Sequence, residues 1–238
     1  NSIWWIETAG IDGIRMDTYP YADAKGMSHW MELIHNEYPH FNVVGETWVT
    51  EPAYTAAWQK DTKLSIMSDD EKLNPGKTQA TKNAKNKKIE LKPFNSYLTT
   101  VMDFAFFDRL SMAKNEETDG WWNGYNRIYN SLCYDYLYND PTHVMAFVDN
   151  HDTDRFLGND GDPRVLRQAL ALLLTLPRIP QIYYGTEILM RGTKEVTDGN
   201  VRKDFPGGFP SDDRNAFTKE GRTEEEQAMF QISKNSVL

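Results

Sequence analysis

Short apolar runs that stop abruptly on a charged or polar residue alternate along this chain with longer stretches of helical period. Ile11, Ile14 and Met16, broken by Gly13, predict a buried strand that ends at Asp17 beside Arg15. Asn42 to Gly45 runs into Glu46, Tyr97 to Phe104 ends near Asp103, and Val144 to Val148 runs into Asp149-Asn150-His151-Asp152. Pro180 to Gly185 gives a last strand before Thr186-Glu187. Between them lie helical patterns. Residues 2–9 read as a helix ending on Gly10. From Asp23 to Pro39 the apolar positions Met27, Trp30, Met31, Ile34 and Tyr38 make one amphipathic face, capped by Asp23 and stopped by Pro39. Trp121, Tyr125, Ile128 and Leu132 make a second stripe, and Val165, Ala169, Leu172, Leu173 and Leu176 a third, closed by Pro177.

Strand-helix alternation with each strand finishing on chemistry is what a parallel barrel produces, because strand bodies fill its core and the site is built on their C-terminal ends. One crossover of about 30 residues separates Asp17 from Glu46, which puts them on adjacent parallel strands at one face. A single carboxylate after a strand is commonly a helix N-cap. Arg15, however, lies two residues before Asp17, so in a strand both side chains share a face and the guanidinium can hold the carboxylate ionised. Asp103 is read as a structural, loop-anchoring residue.

The runs GIRMD (13–17), GETW (45–48) and FVDNHD (147–152) resemble, in order, three signatures of the α-amylase superfamily, glycoside hydrolase family 13. GIRMDTYPYAD, IPQIYYGTEI and RKDFPGGF are similar to its neopullulanase and cyclomaltodextrinase branch in Bacteroides-type bacteria. The resemblance implies an α/β fold, a (β/α)8 TIM barrel represented by about its last five strands, and a partial catalytic domain over residues 1–238. It implies a retaining hydrolase of α-1,4 or α-1,6 glucosidic bonds in starch-like α-glucans, cyclodextrins or maltooligosaccharides. Asp17 matches the nucleophile and Glu46 the acid/base, a role that requires a carboxyl able to give up a proton near neutrality. Asp152 matches the third carboxylate, which grips sugar hydroxyls, with His151 as its hydrogen-bonding neighbour. Tyr19 and Trp48, just past the strand ends, either stack on the sugar or pack. Arg202 and Asp204 are matched to contacts with a more distant sugar. Tyr19-Pro20-Tyr21 departs from the Lys-His pair of many α-amylases.

Two other readings stand beside this one. A 4-α-glucanotransferase shares the chemistry until water or sugar is chosen as acceptor. A catalytically silent sugar-binding fragment is the other, because the family's first signature is absent and an unclosed barrel is expected to catalyse weakly on its own.

Composition narrows the partners. A 13% aromatic content, with 7 Trp and 12 Tyr, suits the apolar faces of sugar rings. Net charge −9 and a pI near 5.1 argue against nucleic acid and anionic membranes. No apolar run is long enough to span a membrane. Cys133, alone, reads as packing. Lys77 to Lys92 holds six lysines and one acid, so about residues 60–95 read as a surface excursion. Residues 191–217, rich in glycine and charge, read as a long functional loop. No cofactor is required and no residue is assigned to a metal, although the resemblance leaves room for a structural calcium in the full-length protein. It also implies an exported or periplasmic bacterial protein, of oligomeric state unspecified.

Overall fold

The structure, a computed structural model, describes residues 1–64, 95–195 and 197–229. Most of the lysine-rich excursion therefore lies outside the described residues. Five strands form one sheet in sequence order: β1 (Gly13–Met16), β2 (Asn42–Gly45), β3 (Thr100–Met102), β4 (Val144–Phe147) and β5 (Ile179–Gln181). Parallel pairing joins β1 to β2, β2 to β3 and β3 to β4. Helices α1 (Ser2–Ala9), α2 (Ala24–Glu37), α3 (Pro52–Ala57), α4 (Phe104–Ala113), α5 (Tyr125–Leu132), α6 (Pro163–Thr175) and α7 (Glu224–Met229) alternate with them. This is the strand-helix order of a (β/α) barrel segment.

The chain divides into two compact units, residues 1–146 with 177–179 and residues 147–176 with 180–238. In the first unit, α2 starts where Asp23 accepts from the Gly26 N–H at 2.6 Å and ends before Pro39. Met27, Met31 and Ile34 on its inner face pack into a core with Phe41, Val43, Leu98, Val101 and Val144. α1 closes on Gly10, whose φ of 62° is the left-handed cap conformation.

Four expectations shift. β1 is only partly buried, because it pairs on one side only among the described residues. The apolar run read as one strand from Tyr97 to Phe104 divides at Asp103. Its carboxylate accepts from the Phe106 N–H at 2.9 Å and caps α4, so Phe104, Ala105 and Phe106 belong to a helix with a buried first turn. A short apolar run does not distinguish these cases. β5 stops at Gln181, ahead of Gly185 with φ 82°. α5 begins only at Tyr125, and it buries Ile128 and Ser131 while Trp121 and Tyr125 face outward.

In the second unit, α6 is capped by Asp162, with Pro163 in its first turn, and buries Leu166, Ala169 and Leu173. Phe147 and Val148 are buried there, as are Ile188, Val201 and Ala216.

Candidate active site

Register brings the two matched carboxylates together. Met16 lies opposite Gly45, so β1 and β2 end level and the next residues, Asp17 and Glu46, leave the sheet side by side. The Glu46 N–H extends the ladder to the Met16 carbonyl at 2.9 Å, and the Tyr19 N–H returns to the Glu46 carbonyl at 3.1 Å. Arg15 sits where alternation puts it, on the same side as Asp17. One of its terminal nitrogens is ion-paired with Asp17 and the other donates to Glu46 Oε1 at 2.9 Å. A planar fork of donors suits this task better than a point charge would. Thr18 completes the arrangement: its φ of 48° turns its N–H onto Glu46 Oε2 at 2.7 Å. A β-branched residue rarely adopts that conformation, so the turn holds local strain where it aims a donor. The environments differ sharply, with 65% of the Asp17 side chain exposed and 3% of Glu46.

Trp48 lies past the end of β2. Its ring stacks on Phe104 at 4.8 Å with 13° between planes, while 39% of the residue remains exposed. Tyr19 is different. It is wholly buried, donates from its hydroxyl to the Ser96 carbonyl at 3.0 Å and meets Trp58 edge-on at 5.9 Å. Burial pushes its hydroxyl pKa well up. Of its two expected roles Tyr19 takes packing, and it leaves the substrate-binding set, since no ring face is open. The space above Gly45 explains why: a Cβ there would stand 2.5 Å from Leu98 and 3.2 Å from Tyr19.

In the second unit, the run after β4 folds into a tight, hydrogen-bonded loop. Asp149 is buried, accepting from the Thr186 hydroxyl and from the Phe156 N–H, each at 2.9 Å. The Asp152 N–H donates to Asn150 Oδ1 at 2.8 Å. The Asp152 carboxylate lies 2.9 Å from His151 Nε2 and 2.6 Å from an Arg202 nitrogen, and Arg202 also donates to the His151 carbonyl at 2.8 Å. Arg202 thus braces Asp152 and His151 directly. Asp204 is exposed two residues on. Among the described residues no cluster of three or more His, Cys, Asp or Glu side chains is placed to hold a metal ion. No helix of those residues is long and apolar enough to cross a membrane.

The catalytic-domain signature of α-amylases matches residues 2–236. The chain belongs to the α-amylase family. It is similar to the cyclomaltodextrin glucanotransferase of Geobacillus stearothermophilus, 29% identical over 201 residues, covering 84% of this chain and 23% of that protein. An α-amylase of Niallia circulans is 28% identical over 189 residues, covering 79% and 29%. The chain spans about a quarter of the length of these relatives. Among solved structures, the α-amylase of Geobacillus thermoleovorans in complex with acarbose superposes with a TM-score of 0.60 at 21% identity, over 95% of this chain and 40% of that one. The cyclic α-maltosyl-(1→6)-maltose hydrolase of Arthrobacter globiformis gives 0.62 at 14% identity, over 96% and 40%. These likenesses establish a shared fold.

Within this α-amylase family domain, three contributors escaped the sequence reading. Thr18 had no signal, because an unusual φ at a threonine is not written in residue type. Asp149 stands inside the FVDNHD run, where residue type alone does not separate it from Asp152. Arg155 is wholly buried, its guanidinium 4.0 Å from the Tyr183 ring centre, with hydrogen bonds to the Val201 and Tyr184 carbonyls. Its place three residues after Asp152 was the available clue.

Proposed function

We propose that this domain carries out retaining cleavage of α-glucosidic bonds, with Asp17 as nucleophile and Glu46 as acid/base. The observation that carries the reading is one guanidinium, Arg15, bonded to both carboxylates at the ends of adjacent strands. Retention requires two carboxyl groups about 5 to 5.5 Å apart, and a bridge through one planar fork keeps this pair near each other at the strand ends. Exposed Asp17 is the one open to attack an anomeric carbon. Enclosed Glu46 would give its proton to the leaving oxygen, then take one from the incoming water or sugar. Electrons move from the Asp17 carboxylate to the anomeric carbon and from the broken C–O bond to the leaving oxygen. The second step reverses this.

The FVDNHD motif assigns Asp152 the grip on sugar hydroxyls, a contact that strengthens as the ring flattens toward the transition state. His151 and Arg202 would fix its orientation. Trp48, backed by Phe104, offers a ring to a sugar face, and Asp204 is matched to a more distant sugar. The substrate is an α-glucan or maltooligosaccharide. The glucanotransferase names of several relatives favour a second reading, transfer to a sugar acceptor, which product analysis separates from hydrolysis.

The test is direct. Asp17→Asn and Glu46→Gln should each lower turnover of maltooligosaccharides by on the order of a thousandfold or more, with little change in melting temperature. NMR of the first product should show the α-anomer. Release of β-anomer, or activity that merely tracks stability in either variant, removes the assignment.

A further inference from the structure

A second concentration of unusual surface lies in the first unit, between α4 and β4. Six large apolar side chains stand exposed between positions 121 and 136, and all are aromatic: Trp121, Trp122, Tyr125, Tyr129, Tyr134 and Tyr136. Trp121 and Trp122 are 85% and 74% exposed. Tyr125 and Tyr129 are one helical turn apart on α5 and share a face while Ile128 and Ser131 face inward, and Trp121 and Trp122 stand exposed in the turn that leads into the helix.

The segment presenting the tryptophans is tied down on every side. The Glu116 carboxylate receives the Gly124 N–H at 2.9 Å and two nitrogens of Arg127 at 2.5 and 2.7 Å. Thr118 Oγ1 accepts from the Tyr125 N–H, and Asn123 from the Gly120 N–H. Asn126 and Asn130 donate back to the Gly120 and Trp121 carbonyls. Gly124 has φ 53°, and a Cβ there would lie 2.2 Å from the Thr118 hydroxyl, so only glycine closes this turn. Bonding of this kind fixes the backbone from which the two indoles project.

We propose that Trp121, Trp122, Tyr125 and Tyr129 form a second binding platform for a linear α-1,4-glucan, distinct from the Asp17–Glu46 cluster. The ligand class rests on the proposed function. Three features select a sugar polymer. The exposed apolar surface is ring without aliphatic side chain, which matches C–H faces of pyranoses. Amides and hydroxyls lie between the rings, which matches the hydroxyl rims. On α5 the one-turn spacing sets the Cβ atoms of Tyr125 and Tyr129 about 5 to 6 Å apart, roughly the length of one sugar. Because the backbone of the turn is already ordered, little backbone entropy is lost on binding.

The experiment is native electrophoresis of the full-length polypeptide through gels containing soluble amylopectin. Glu46→Gln serves as background so that the matrix survives. Adding Trp121→Ala and Trp122→Ala should remove most of the retardation and raise the apparent Kd about tenfold or more, as loss of two stacked rings implies. Phenylalanine at both positions should restore it. With Glu46 intact, the alanine pair should leave kcat/KM on maltotriose unchanged. Equal retardation with and without the indoles overturns the proposal, as does a parallel fall in maltotriose kcat/KM. So does sedimentation showing an oligomer that the alanine pair dissociates, since a second copy would then cover this face. Failure of the catalytic assignment reads out separately, as undiminished turnover in Asp17→Asn or Glu46→Gln.

Discussion

Arg15 ties two strand ends together through one side chain, since its two terminal nitrogens hold the carboxylates that follow β1 and β2. Lysine would keep the charge and lose the fork. Arg15→Lys should therefore lower kcat on maltooligosaccharides by about tenfold to a hundredfold while the melting temperature changes little, because the arginine is partly exposed. A steady-state assay beside a thermal melt checks both halves. Gly45 makes the opposite prediction. Its missing Cβ is where Leu98 and Tyr19 pack, so Gly45→Ala should destabilise by about 1 to 3 kcal/mol and displace Glu46, with activity and stability falling together in a urea titration.

At the scale of elements, the Glu116–Arg127 tie is expected to govern the order of the turn before α5. Hydrogen bonds from Arg127 and then from the Gly124 N–H hold the Glu116 carboxyl pKa down to about 2 from 4.5. A carboxyl depressed in the folded state stabilises fully above its ordinary pKa, and the contribution is lost as pH falls through the folded value. The turn should thus stay ordered at pH 5 and loosen between about pH 4.5 and 2, seen as broadening of the Trp121 and Trp122 indole signals in NMR; Glu116→Gln should show that broadening at neutral pH. The same segment marks a limit of sequence reading. Period alone suggested that Trp121 and Tyr125 share the buried face with Ile128. The structure buries Ile128 and Ser131 instead, because a stripe of large aromatics looks identical whether it faces core or water. Where residue type and geometry coincide, as in Asp23 capping α2 or Arg15 two residues before Asp17, the elements and their contacts were legible. They were not where geometry is carried by an unusual φ, as at Thr18, or by a partner distant in sequence, as with Ser96 drawing Tyr19 inward.

For the molecule as a whole, the α-amylase signature spans residues 2–236, and the net charge of −9 gives it a field that a neutral polysaccharide does not feel. The shared guanidinium extends this indifference into the reaction. In the proposed cycle Asp17 begins anionic beside a protonated Glu46; after the first step Asp17 is an uncharged ester and Glu46 is the anion. Arg15 exchanges one counterion for the other without moving away, and the three groups sum to zero in both states. Such a centre is electroneutral throughout turnover. Raising ionic strength from about 10 mM to about 1 M, which shrinks the Debye length from about 30 to 3 Å, should leave kcat/KM on maltooligosaccharides within about twofold. A steep salt dependence would mean that charge is created or destroyed at the site, and that the guanidinium is not balancing it.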